Sequence, residues 1–334
     1  MASYNPAMDK GQARRVRDRI VTLVHCGLDS GALSRQAERL IRSVIPFDRA
    51  CWHNVDPATA MITTVYGESA PSTPLLPRLE YGERDVNQFA TLARGPLTVG
   101  ILSQATRGDR NRSRRFREVL EPMGIGDELT AAFVLDSMFW GCVRFYRNHG
   151  RPDFGAAEAA FVAGISPALA EGFRRALLVS ALAVHDVVGG PGVVLLDDRD
   201  GIEAISTTAE HWLREIIDVP ATARNPLPHP VYAVAARARS VPDTADGASG
   251  RLARARVPTR SGPWLVLHGM RLAGTPVGRT AVIVEAAPSP ERRVLPAKLR
   301  RRDHGPDATS GRRSGNHAYL RRDRRDYRTA GVGQ

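Results

Sequence analysis

The sequence predicts an α+β protein: an antiparallel sheet with helices on one side, followed by a smaller α+β module and a disordered basic tail. Three observations predict it. Strand signals with two-residue alternation come as hairpin pairs, with helical stretches before and after them, which favours antiparallel pairing. A strand, polar turn, strand pattern recurs on a smaller scale after residue 191. Net charge is concentrated at one end: residues 291–334 hold 13 Lys and Arg against 5 Asp and Glu, and the remaining residues hold 34 against 30. The net charge of +12 is thus mostly a property of the tail.

The elements follow in order. Residues 13–27 place Val16, Ile20, Leu23 and Val24 on one helical face, with Gly27 as a stop. A second helix carries Leu33, Ala37, Leu40, Ile41 and Val44 and ends at Pro46. "RACWHNVD" and "MITTVYG" flank the turn sequence "DPAT" and read as a hairpin. Residues 67–82 read as a loop, "DVNQFATLAR" as a helix, and "NRSRRFREVLEPMG" as a short helix capped by Asn111. "LTAAFVLDSMFWGCVRFYRN" reads as two strands around Asp136-Ser137, with Phe139, Gly141, Val143 and Phe145 on one face and Trp140, Cys142, Arg144 and Tyr146 on the other. A long helix carrying Phe161, Ile165, Leu169, Phe173 and Leu177 closes the unit, with a kink expected at Pro167.

In the second module, "GVVLLDDRDGIEAIS" is strand, turn, strand, with Gly201 expected at positive φ. Two short helices follow, the first capped by Thr207 or Thr208, and then further strands in "ARVPTRSGPWLVLHGMRLAG" and "GRTAVIVEAAP". Residues 242–250 read as a flexible loop. The expected boundaries are a disordered 1–10, a first domain over 11–181, a linker over 182–191, a second module over 192–288 and an Arg-rich disordered tail over 289–334.

Cys26, Cys51 and Cys142 are an odd set without CxxC spacing, so neither a disulfide framework nor a structural zinc site is expected. No apolar run approaches the ~20 residues of a membrane span, and the first residues lack a signal-peptide core. A cytoplasmic protein is expected.

"FDRACWHNVDPATAMITTVYG", "FWGCVRFYR" and "DFGAAEAAFVAGISPALAEGFRRALL" resemble a GAF domain. "GVVLLDDRDGIEAISTTAEHWLREI" and "GPWLVLHGMRLAG" with "GRTAVIVEAAP" resemble a PAS-like module. Together they resemble the sensory part of a LuxR-type transcriptional regulator of actinobacteria. The resemblance implies a small-molecule ligand or partner bound by the first domain, a shift of its closing helix on binding, and a homodimer through residues 155–180. Such regulators continue into a helix-turn-helix, and residues 289–334 lack its pattern. A frameshift near codons 290–300, replacing the DNA-binding output, is the expectation.

Candidate chemistry is sparse. No nucleophile, base and orienting group come together, and no enzyme, cofactor or metal is expected. Cys51 and His53 share a strand face but lack a third ligand. "GGPG" at 189–192 precedes a strand and lacks phosphate-cradling geometry. Asp197, Asp198 and Asp200 read as a solvated turn, and His25-Cys26 as helix-end packing. Trp52, His53, Tyr66, Phe133, Trp140, Cys142, Arg144 and Phe145 are the candidate lining of a ligand pocket, with His53 and Arg144 as polar anchors. A different reading makes the chain a DNA- or RNA-binding protein through Arg300, Arg301, Arg302, Arg312, Arg313, Arg321, Arg322, Arg324 and Arg325, by weak, non-specific phosphate contacts.

Overall fold

Among the described residues, two antiparallel sheets of five strands each carry the fold. The computed structural model describes residues 8–67, 73–181, 190–218, 226–240, 253–272 and 279–287. The arginine tail, residues 1–7, the loop at 242–250 and most of the linker lie outside the described residues.

Helix α1 (Lys10–Leu23) starts where the Asp9 carboxylate accepts the Gly11 N–H at 2.8 Å, and buries Ala13, Val16 and Ile20. Helix α2 (Ser30–Arg42) is capped in the same way by Asp29 and buries Leu33, Ala37 and Ile41. Strands β1 (Arg49–Asp56) and β2 (Met61–Tyr66) form the expected hairpin, with Asp56 accepting the Ala58 N–H at 3.0 Å and Ala60 at φ 57°.

The expected loop is partly helical. Helix α3 (Leu75–Tyr81) has no side-chain cap, and its Pro77 falls in the first turn, where no intrahelical N–H bond is lost. Its hold is tertiary. The Tyr81 hydroxyl accepts the Ile62 N–H at 2.7 Å, Glu80 pairs with Arg144, and Gln88 Nε2 donates to Leu79 O at 2.6 Å. Helix α4 (Phe89–Arg94) follows, then the unanticipated strand β3 (Val99–Ile101), too short to show a period, and helix α5 (Leu102–Ala105). The helix expected at 111–124 is irregular, and its cap is Ser113, whose Oγ accepts the Phe116 N–H at 3.2 Å, rather than Asn111.

Strands β4 (Ile125–Leu135) and β5 (Met138–Asn148) meet at Asp136 and Ser137, both at positive φ, a hairpin turn matched to strand twist. Phe133 pairs with Gly141 and Val134 with Phe139, so Trp140 is one residue too many. This β-bulge reverses the expected alternation beyond it: Phe139 joins the core on the Cys142 side, and Trp140 packs against the core on the Phe145 side. Helix α6 (Ala156–Ala181) runs on as one helix with Pro167 inside it.

The first sheet has the order β2-β1-β5-β4-β3. Helices α1, α2 and α6 cover one face around Trp52, Phe133, Phe145 and Phe173. Gly141 is needed there, because a Cβ would sit 3.0 Å from the Phe173 ring. Side chains of α3, α4 and the 116–120 segment cover the other face.

The second sheet comprises β6 (Gly192–Leu196), β7 (Ile202–Ile205), β8 (Arg254–Pro258), β9 (Trp264–Arg271) and β10 (Thr280–Ala286), in the order β7-β6-β10-β9-β8. Helices α7 (Thr207–Glu215) and α8 (His229–Ser240) lie between its second and third strands in sequence, as expected. The cap of α7 is Ser206, one residue before the expected threonines, and the positive φ belongs to Asp200 rather than Gly201.

Helix α8 joins the two sheets. Val231, Tyr232, Ala233, Val234, Ala235, Ala236 and Ala238 are all buried, a helix apolar all round and therefore enclosed. One side approaches β9 so closely that a Cβ on Gly269 would lie 2.5 Å from Val234 O. Another meets α3, where Arg237 lies 5.1 Å from the Tyr81 ring centre. Asp56 also accepts the Arg256 N–H at 3.1 Å across the sheets. One continuous apolar core therefore spans both, and the chain to Pro290 is a single compact unit.

Candidate functional site

The sequence-derived pocket residues divide between two faces of the first sheet. Trp52, Tyr66, Phe133, Trp140 and Phe145 belong to the α1, α2 and α6 side. Trp52 stacks on Phe173 (6.4 Å between ring centres, 13° between planes) and lies 5.9 Å from Phe133 and 5.8 Å from Phe145. Its indole N–H donates to Glu38 at 3.2 Å, and Tyr66 OH accepts from Asn54 at 3.1 Å. This is a packed aromatic core with satisfied polar edges.

His53, Cys142 and Arg144 lie on the opposite face. Strand register gathers them: Arg144 is opposite Cys51 on β1 and Thr130 on β4, and His53 is opposite Cys142. Arg144 Nη2 donates to Glu80 Oε2 at 2.9 Å, and its Nε lies 3.6 Å from Glu128 Oε2. Glu128 accepts from Arg115 at 2.8 Å and from Thr130 at 2.8 Å. Glu80 also accepts the Phe89 N–H at 2.8 Å, and the Arg144 guanidinium sits 4.1 Å from the Phe89 ring centre. Glu80, Arg115, Glu128 and Arg144 are all less than 9% exposed. Two cations and two carboxylates are thus enclosed between the sheet and its short helices.

Their electrostatics follow from burial and pairing. Burial opposes the Arg144 charge, but Glu128 and Glu80 outweigh it and hold the guanidinium protonated. For Glu128 burial is likewise outweighed, by Arg115 and Arg144, and its carboxyl is held below the usual range. At Glu80 burial wins over Arg144, and the carboxyl is pushed up. The two carboxylates therefore differ: Glu128 is the firm counter-ion and Glu80 the reluctant one.

The neighbours are neutral. Burial first, then Arg144 and His229, hold His53 well below the usual imidazole value. Burial pushes the Cys51 thiol up to about 12, and Cys142 well above its usual value. Cys51 Sγ lies 3.2 Å from His53 Nε2, while His53 Nδ1 is buried without a well-formed hydrogen bond. His229 opens α8, where its N–H donates to Asp218, and its ring Nε2 is buried without a partner. Burial and Arg144 lower its imidazole to about 4. Glu128 Oε2 and Arg144 Nε are also buried without a hydrogen bond.

Glu80, Phe89, Arg115, Glu128 and His229 were not anticipated. Glu128 lies beside Asp127 at the start of β4, ahead of the apolar run that marks the strand. Glu80 comes from the segment read as a loop, and Phe89, Arg115 and His229 from segments read as helices with no sign of a shared site. Among the described residues no group of three or more His, Cys, Asp or Glu side chains could hold a metal. In the Asp-rich turn, Asp197 accepts from the Arg199 and Gly201 N–H groups, and Asp200, 4% exposed, pairs with Arg239 at 2.5 Å. Asp200 is thus an internal clasp, while Asp198 and Arg199 are exposed, as expected of a solvated turn. No described helix is long and apolar enough to cross a membrane.

No known family's sequence profile matches the chain, and no curated protein matches it. Among solved structures, the GAF domain of an Acinetobacter phosphoenolpyruvate-protein phosphotransferase is similar over 52% of this chain and 98% of that one, at 12% identity and a TM-score of 0.37. The phycoerythrobilin-bound GAF domain of a cyanobacterial phytochrome is similar over 53% and 98%, at 14% identity and a TM-score of 0.36. The free methionine-R-sulfoxide reductase of Neisseria meningitidis, in complex with its substrate, is similar over 54% and 99%, at 10% identity and a TM-score of 0.36. These likenesses are distant, with none of the three reaching a TM-score of 0.5.

Proposed function

We propose that the chain is a small-ligand sensor whose responsive site is the enclosed face of the first sheet around Arg144, His53, Glu80 and Glu128. The carrying observation is the buried charge network, in which Arg144 Nε and Glu128 Oε2 face each other without a hydrogen bond, beside the unpartnered His229 Nε2. A buried ion pair adds little to stability over an apolar pair of similar volume. Unpaired buried polar atoms cost free energy, and a bound polar ligand would satisfy them. The reading is of a binder: both thiols near the site are held protonated, which disfavours them as nucleophiles.

The narrower reading, the sensory part of a LuxR-type regulator acting as a homodimer through residues 155–180, is carried by the sequence resemblance alone. The test of the site is a thermal-shift screen of small metabolites on the full chain. A ligand of the native state raises the melting temperature, and Arg144→Met should abolish the rise. A ligand whose effect survives that substitution binds elsewhere and refutes the assignment.

A further inference from the structure

Resting on that reading, we infer that Glu80 is a built-in stand-in for the acidic group of the ligand: a small monocarboxylate displaces it from Arg144, and helix α3, once released, carries the change to the second sheet. Arg144 has two carboxylate neighbours of different standing. Glu128 sits within β4, held by Arg115 and Thr130, and approaches Arg144 only to 3.6 Å. Glu80 makes the close contact, 2.9 Å, and comes from a seven-residue helix with no side-chain cap. A guanidinium presents a planar fork that suits a carboxylate. One of its faces is already taken by the Phe89 ring.

The surroundings narrow the ligand. Phe89, Cys51, Cys142 and neutral His53 offer an apolar, uncharged lining. Glu128 remains in place whatever leaves, so a multiply charged anion such as a phosphate dianion meets repulsion. A single carboxylate on a compact apolar body fits both conditions.

Helix α3 is placed to report the exchange. Glu80 is followed by Tyr81, which accepts the Ile62 N–H and lies under Arg237 of α8. One turn earlier, Arg78 donates to Asp198 O at 3.3 Å and lies 3.7 Å from Asp200. Asp200 is gripped by Arg239 of α8, which also donates to Asp197 O at 2.9 Å and Thr280 Oγ1 at 2.9 Å. The Arg78 contacts are long and the Arg78 side chain is 39% exposed, so they are weak and easily released. Carboxylate binding shifts α3 only as far as its preference for the displaced state allows.

The test uses the full chain with Glu80→Ala, probed by sodium propionate, by propionamide, and by sodium chloride at matched ionic strength. Propionate should raise the melting temperature of the variant with saturation, by ~3 °C or more, and propionamide and chloride should not. In the unsubstituted chain, carboxylates should speed amide exchange over residues 75–81. If Glu80→Ala does not fold, Glu80→Gln keeps an acceptor for the Phe89 N–H and serves in the same comparison. Equal effects of propionate and propionamide overturn the inference. A neutral ligand that stabilises the unsubstituted chain, and loses its effect in Arg144→Met, overturns it while leaving the site reading intact. A screen in which nothing moves the unsubstituted chain overturns the site reading itself.

Discussion

Replacing Arg144 by methionine isolates the charge network from the packing around it. Methionine fills much of the space of the arginine stem, so the cavity contribution is small. Glu128 keeps Arg115 and Thr130, each at 2.8 Å. The cost therefore falls on Glu80, 8% exposed and left without its cation. Removing one member of a buried pair costs about 3–5 kcal/mol. With Glu128 still satisfied, we expect the lower end, about 3 kcal/mol at pH 7. Urea unfolding, followed by tryptophan fluorescence, should show the midpoint fall by ~1 M or more. Glu80→Leu added to Arg144→Met removes the stranded carboxylate and should restore most of the loss. The deficit should also shrink as pH falls towards the ordinary carboxylate range. The folded-state value of Glu80 is raised, so the penalty exists where it is ionised and vanishes once a proton neutralises it. A single variant within ~1 kcal/mol of the unsubstituted chain, or a double variant no more stable than the single, would refute the reasoning.

Two further outcomes follow from the same face. His229 is held neutral in the fold at about 4, below its ordinary 6.5, so the unfolded chain binds the proton first and stability falls as pH drops through that interval. His229 should account for about 2 kcal/mol of loss between pH 7 and 4.5, added to that of His53, which is also held neutral; His229→Gln should lessen the slope by that share, and an unchanged slope would contradict the assignment. Cys51 and Cys142 are buried and protonated, whereas Cys26 is exposed. A thiol-reactive dye at neutral pH should label one cysteine per folded chain and all three in urea; rapid labelling of a second in the folded state would show that the site opens.

Much of the fold was legible because it is written in local periodicity. Strand β1 follows the β-rich run "RACWHNVD" before its turn sequence, and the Asp136-Ser137 turn lies between two strands as expected, the first beginning earlier, at Ile125. The failures share a cause. The bulge at Trp140 depends on how β5 registers against β4, which the sequence of β5 alone does not contain. Helix α3 has no cap and little periodicity, and forms because Glu80 and Tyr81 find partners far away in the chain. The candidate site was half legible for the same reason. Arg144 and His53 show themselves as polar residues in strands, but Glu80 and Arg115 gain meaning only after folding brings them to Arg144 and Glu128. Aromatic richness drew attention to Trp52, Phe133 and Phe145, which pack the opposite face.

Helix α8 bears on how such a protein can be taken apart. It serves two sheets at once, so neither half has a surface of its own on that side. A chain cut between residues 181 and 190 would leave a first half with Met61, Ile62 and Val65 in the open, and a second half with a naked alanine-rich helix. The two halves are thus bound to a common fate: they must be expressed, inherited and exchanged together.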